Sequence, residues 1–271
     1  MPSDASTRGV GNTLYDDPLV YDVLHGPGTR AEVDGLEAIE RRYSRAPRPL
    51  AWLEPACGTA RHLRLAARRG RCVIGLDLSP AMITFADGRA RADRTRRRSR
   101  YLVADIASFA GLLEPRSVGF AFNLINSIRH LDSDRALVSH LNDVAAVLHP
   151  RGVYAVGLSA TAYGLEQPTE DVWSGTRGPI RVSQVIQYEP PTGGQRGPRV
   201  ERVISHITVV SRGTRERHLD STYALRAYSV EQWYKAIERS GLSLVATCDE
   251  GARPVPPAEP GYTIYVLGVK K

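Results

Sequence analysis

The sequence predicts an α/β fold, a doubly wound and mostly parallel seven-stranded sheet carrying an inserted antiparallel β meander. Three observations predict it. Between residues 50 and 158, short apolar runs alternate with segments whose apolar residues recur at helical spacing. Between Ser159 and Tyr228 that period disappears, and alternating β-branched residues separated by Gly/Pro turns replace it. From Ser229 onward a helix and two strands resume the first pattern.

The elements follow in order. "LAWLEP" (50–55) is an apolar run ending in a turn, "ARHLRLAARRG" (60–70) is a helix stopped by glycine, and "CVIGLDLS" (72–79) is a second strand. This makes a βαβ unit. A helix "PAMITFADGRARA" follows, with Ser79 as its cap and Pro80 at its first position. Strands "YLVADI" (101–106) and "VGFAFNLI" (118–125), a helix "DRALVSHLNDVAAVLHP" and a strand "GVYAVGL" (152–158) continue the alternation. Then come "IRVSQVIQYE", "VERVISHITVVS" and "ERHLDSTYALRAY", read as a three-stranded meander. The helix "SVEQWYKAIERSGL" and the strands "LSLVATCDE" and "YTIYVLGVKK" close the chain. Residues 1–158 are thus expected to hold N-terminal cap helices and the main core, 159–228 an insert roofing the pocket at the carboxyl ends of the strands or forming a homodimer interface, and 229–271 the remainder of the core.

A chain of 271 residues that is 42% hydrophobic can bury a proper core. No apolar run approaches the ~18 residues that span a bilayer, and "MPSDASTRGVGN" lacks the order of a secretion signal, so a cytoplasmic protein without a membrane partner is expected. Three cysteines, Cys57, Cys72 and Cys248, lack paired spacing; reduced thiols and no metal are expected. The net charge of +7 is nearly all arginine, and its densest run, "GRARADRTRRRSR" (88–100), has no interleaved aromatics to stack on bases. It is read as a helix end and solvated loop, and nucleic acid is not the expected partner.

The stretch "LEPACGTARHLRLAARRG" joins the first strand to its helix. Gly58 lets a ligand approach the backbone, and Asp77, nineteen residues later at the end of the second strand, is placed to accept bonds from ribose hydroxyls. The pyrophosphate fingerprint G-x-G-x-x-G is missing, because the corresponding positions read Ala56, Gly58 and Ala60. Glu54 would repel phosphate and suit an ammonium or sulfonium. S-adenosylmethionine offers a ribose and both cations without phosphate.

The order of motifs resembles the class I S-adenosylmethionine-dependent methyltransferases, whose core is Rossmann-like. "EPACGTA" is similar to their first motif, "GLDLSPAM" to the acidic end of the second strand, "VADI" to the third-strand motif and "LHPRG" to the turn before the fifth strand. Alanines 56 and 60 depart from the glycines of that first motif. The resemblance implies that Glu54, Ala56 and Gly58 line the methionine end, Asp77 holds the ribose, and Leu78 and Met82 pack near the adenine. It also implies that Asp105 and Ile106 meet the adenine amino group and ring, although an acid at position 105 equally suits a turn cap. "NSIRHL" resembles a segment of the sugar amine N-methyltransferases.

After the fourth strand, "NLINSIRHL" (123–131) reaches toward the methyl group. Asn123 is read as a cofactor contact or as satisfying its own turn. His130 is read as a general base for an amine acceptor or as a histidine bonded to backbone at a helix start. Tyr15 and Tyr21, in "LYDDPLVYDVLHG", are read as gatekeepers, Tyr21 on the cofactor and Tyr15 on the acceptor, against ordinary helix packing. In the insert region Tyr163, Trp173, Arg181 and Tyr228 are candidate acceptor contacts or packing residues. The expected activity is methyl transfer to nitrogen or oxygen of a small molecule. The alternatives are an inactive cofactor-binding partner subunit and a nucleic-acid methyltransferase; against the latter, "NLIN" replaces the N-P-P-aromatic signature.

Overall fold

In the computed structural model, which describes residues 14–194, 197–256 and 260–271, the alternation becomes two sheets. The "MPSDASTRGVGN" segment lies outside the described residues. In chain order the core elements are α1 (Pro18–Leu24), α2 (Thr29–Tyr43), β1 (Ala51–Pro55), α3 (Arg61–Arg68), β2 (Val73–Asp77), α4 (Pro80–Ala92), β3 (Ser99–Val103), β4 (Val118–Asn123), α5 (Asp134–Val147) and β5 (Leu148–Ala160). The insert supplies β6 (Thr169–Arg177), β7 (Ile180–Glu189), β8 (Val200–Ser211) and β9 (Arg217–Arg226); α6 (Val230–Glu238), β10 (Leu242–Cys248) and β11 (Gly261–Val269) complete the core.

The large sheet has the strand order β10-β11-β5-β4-β1-β2-β3, with β11 antiparallel to both neighbours. The order reverses between β1 and β4, where ligands of open α/β sheets bind outside the carboxyl ends. Side chains alternate across each strand. Trp52 therefore faces a cluster with Leu36, Ile39, Leu63 and Phe120, while Leu53 faces one with Leu137, Leu141, Trp233 and Tyr265. Both faces are covered. Ser79 accepts from the Met82 amide with Pro80 at the first helical position, as the sequence predicts.

The insert corrects the three-stranded expectation, because β6 adds a fourth strand at its edge, paired antiparallel with β7. Its residues Thr169–Val172 are all exposed, so no apolar alternation marked it as a strand. One face of this sheet packs on α1: Leu14, Val20, Val23 and Leu24 meet Val182, Ile207, Val209 and Leu219. Contact is close at Gly175, where an added Cβ would lie 1.9 Å from the Val23 carbonyl oxygen. Helix α1 is thereby held against the insert.

Among the described residues no helix is long and apolar enough to cross a membrane. All three cysteines are free.

Candidate active site

Strand β1 stops at Pro55, and the chain turns through three left-handed residues before α3: Ala56 (φ 55°), Gly58 (φ 53°) and Ala60 (φ 57°). Left-handed alanine costs about 1–2 kcal/mol per residue, so the two alanines carry strain that glycine would not. Only Gly58 needs to lack a side chain for space, since a Cβ there would approach the Tyr21 ring to 3.0 Å. No side chain caps the amino end of α3.

Asp77 closes this turn from the end of β2. Its carboxylate accepts from the Gly58 amide at 2.7 Å and from the Ser79 amide at 2.9 Å. Burial raises its pKa, and the two backbone bonds partly offset that rise. Asp77→Ala removes the anion and frees both amides. It is expected to weaken S-adenosylmethionine binding by ~1–3 kcal/mol, the scale of a lost charge-assisted bond; unchanged affinity in calorimetry would reject the assignment.

Two buried oxygens beside this turn have no protein partner. Asn123, 1% exposed at the end of β4, donates to the Pro55 carbonyl at 2.6 Å and leaves its Oδ1 unbonded. Glu54, 6% exposed, uses Oε1 on His62 and leaves Oε2 unbonded. Buried acceptors without donors are costly, and a ligand ammonium would satisfy both. The two acceptors thus fit the ammonium of an amino-acid end, with bare backbone at Gly58 beside it.

Helix α3 carries three buried cationic side chains whose burial the helical spacing of its apolar residues does not report. Arg61, His62 and Arg64 are each less than 9% exposed. Arg61 and His62 pair with Glu32 of α2, and Arg64 pairs with Asp22 of α1. Burial alone would raise the Glu32 pKa, but hydrogen bonds from His62 and Arg61 bring it down to about 2.

The loop after β4 is also strained. Ile125 (φ 54°) and Asn126 (φ 61°) are consecutive left-handed residues, fixed by two bonds between the Asn126 side chain and Ser159 and by the Ile125 amide donating to the Tyr262 hydroxyl at 3.2 Å. A short 3-10 turn, Ser127–His130, then presents His130. Its ring stacks on Tyr223 at 5.8 Å and meets Tyr15 edge-on at 5.9 Å, with the Tyr15 hydroxyl 3.5 Å from Nε2. Burial and the neighbouring Arg129 charge lower its pKa, so the neutral imidazole prevails at pH 7. His130 still keeps an open face, and Tyr15 is 40% exposed.

The structure brings together part of the predicted set. Tyr15 adjoins both Tyr21 and His130, and Tyr21 lies on Gly58. Leu78 is exposed just beyond β2, while Met82 is buried on α4. Asp105 accepts from the Ala107 amide, a turn bond, and the Ile106 carbonyl accepts from His140. Several acceptor candidates serve packing instead. The Tyr163 hydroxyl bonds the Ala227 carbonyl and Gln232 at the start of α6, and Tyr228 is 1% exposed in the core with Arg199 and Arg226 over its ring. Trp173 packs edge-on against His25, which in turn contacts Tyr21. Arg181 is exposed and, by strand alternation, lies on the face opposite Val182, which packs on α1. Tyr223, with Tyr188 packed beside it in the insert, was missed. The alternation of "LDSTYALR" marks the face of Tyr223 but not what lies under it.

Residues 53–152, which contain the strained turn, Asp77 and the post-β4 loop, match the family model of a methyltransferase domain. Those residues form a methyltransferase domain, and the enzyme is an S-adenosylmethionine-dependent methyltransferase with S-adenosylmethionine as its cofactor. It is similar to a dTDP-3-amino-3,6-dideoxy-α-D-glucopyranose N,N-dimethyltransferase of Streptomyces fradiae, 27% identical over 241 residues and 83% of each chain. Among solved structures, Streptomyces venezuelae DesVI superposes with a TM-score of 0.71 at 21% identity, covering 93% of this chain and 97% of that one. The sugar N-methyltransferase KedS8 of a Streptoalloteichus species superposes with a TM-score of 0.71 at 20% identity over the whole of both. These superpositions establish a common fold.

Proposed function

We propose that this enzyme methylates the amino group of an amino sugar. The observation that carries the reading is the trio of Tyr15, His130 and Tyr223, where a histidine held neutral stands among aromatic rings beside the cofactor turn. The similarity to an amino-sugar N,N-dimethyltransferase supports the same acceptor class.

Glu54 and Asn123 would hold the ammonium of the cofactor, Ala56 and Gly58 its methionine chain, and Asp77 its ribose. Tyr21 closes over the turn, and Leu78, Met82, Asp105 and Ile106 border the adenine side. Bound S-adenosylmethionine supplies a methyl group already activated on sulfonium. The protein's part is to align the acceptor, exclude water and remove one proton. An ammonium has no lone pair, so the acceptor must lose that proton before attack. His130, neutral at pH 7, takes it directly or through water. Tyr15, with the insert as a roof, limits solvent entry, and the aromatic faces of Tyr15 and Tyr223 suit a cationic amine before deprotonation. Tyr163, Trp173, Arg181 and Tyr228 act, if at all on the acceptor, through the packing of this roof.

The exposed valines of the insert, Val172, Val185, Val200 and Val210, share its outer face by strand register, which supports a homodimer through that face. Three free thiols support a cytoplasmic setting.

The test uses the purified protein, labelled methyl donor, amino sugars free and nucleotide-linked, and matched analogues bearing hydroxyl in place of the amine. Label is expected in the amines alone. Transfer to the hydroxyl analogues, or to none, would overturn the proposal.

A further inference from the structure

We infer that His62 is a positioning residue for the cofactor, fixing Glu54 so that one carboxylate oxygen is committed to protein and the other is offered to the cofactor's amino group. The inference rests on reading the β1–α3 turn as the cofactor cradle.

His62 is 5% exposed, and both ring nitrogens face carboxylates: Nδ1 lies 2.7 Å from Glu54 Oε1 and Nε2 lies 3.0 Å from Glu32 Oε2. A neutral imidazole has one N–H and one lone pair, and would set that lone pair against an anion. The geometry therefore requires the doubly protonated ring, donating at both ends. Burial and the adjacent Arg61 charge oppose that proton, but the two glutamates outweigh them and raise the pKa of His62. Phe122 meets the ring edge-on at 5.7 Å and limits its rotation.

The charges divide between two partners. Arg61 reaches both oxygens of Glu32 and also donates to Thr29 at 2.8 Å, so Glu32 is answered by a guanidinium as well as by His62. Glu54 is answered by the imidazolium. Because Oε1 of Glu54 is held and Oε2 is buried without a donor, the carboxylate has one rotamer and one free acceptor. Without His62 the carboxylate can rotate, and its free oxygen loses a fixed direction. A cofactor then pays to order a group that the native protein orders in advance.

Two ligands separate this role from a general structural one. S-adenosylhomocysteine carries the amino-acid end that Glu54 would meet, and 5′-methylthioadenosine shares the nucleoside but lacks that end. By calorimetry on the full chain, His62→Gln is expected to lose about tenfold or more in affinity for the first and less than about twofold for the second. His62→Asn places an amide donor near the Nδ1 position and is expected to recover most of the loss. Equal weakening for both ligands would mean a folding role and overturn the inference, as would unchanged affinity for the first. Failure of the Asn variant to recover while Gln and Asn both bind 5′-methylthioadenosine normally would also overturn it. Native protein that binds neither ligand would sink the cradle reading itself, a separate result.

Discussion

Replacing Asp22 by alanine is expected to cost about 3–5 kcal/mol of stability, the range found when one partner of a buried ion pair is removed. Asp22 sits on α1 with no exposed surface. Its carboxylate meets Arg64 of α3 and Arg177 of β6, the latter at 2.7 Å, and accepts from the Thr59 hydroxyl at 2.7 Å. Arg177 also donates to the Asp22 carbonyl at 3.0 Å. Without the carboxylate, the Arg64 guanidinium stays buried with no counter-ion, and burial already lowers its pKa. Asp22→Asn keeps the shape and an acceptor, so a smaller loss is expected. Denaturant unfolding of the three proteins checks the order; a loss below about 1 kcal/mol for alanine would show that α1 is held by its apolar face alone. Tyr21 immediately precedes Asp22 and covers Gly58, so cofactor affinity is expected to fall in parallel.

For His130→Ala the expected result is methyl transfer slowed by about 10²-fold, the low end for a lost general base, with cofactor affinity unchanged. The sign of its pH dependence follows from the lowered pKa of His130. Above that pKa the native imidazole is free to accept a proton, and below it the base is already protonated and the native rate falls. The deficit of the variant is therefore largest between the lowered pKa of His130 and the acceptor amine's own pKa. Above the amine's pKa the acceptor is already deprotonated, and the deficit shrinks. Single-turnover rates across pH check this. A constant ratio of native to variant rate would remove His130 from proton transfer and leave it a wall of the pocket.

Much of this fold was legible because periodicity reports burial. The strands around Leu53, Leu76 and Phe120 are continuous apolar runs, as expected for parallel strands covered on both faces, and the Ser79–Pro80 cap marks α4 in one dipeptide. Strand β6 was not legible, since an exposed edge strand needs no apolar face. At the site, Gly58 and Asp77 could be found because their roles are local to a turn. The buried state of Arg61 and Arg64 could not, because their counter-charges, Glu32 and Asp22, lie 29 and 42 residues earlier in the chain, and His62 sits between distant Glu32 and nearby Glu54. For Tyr163 and Tyr228 the sequence left two readings, acceptor contact or packing. Aromatic residues at an insert boundary look like ligand contacts, yet here they close the junction with α6. Tyr223 escaped notice because nothing near it in sequence announces that His130 stacks on its ring.

The bond from Arg177 to Asp22 joins positions 155 residues apart. During synthesis the amino-terminal cap emerges early and waits while the nucleotide cradle and most of the central strands are made. Only when the first edge of the insert follows does its anchoring carboxylate gain its second guanidinium. Fragments ending short of that arginine would retain the recognisable motifs yet leave the cap half tethered, so a piece cut where the methyltransferase-domain match ends, at residue 152, should close badly over its cradle.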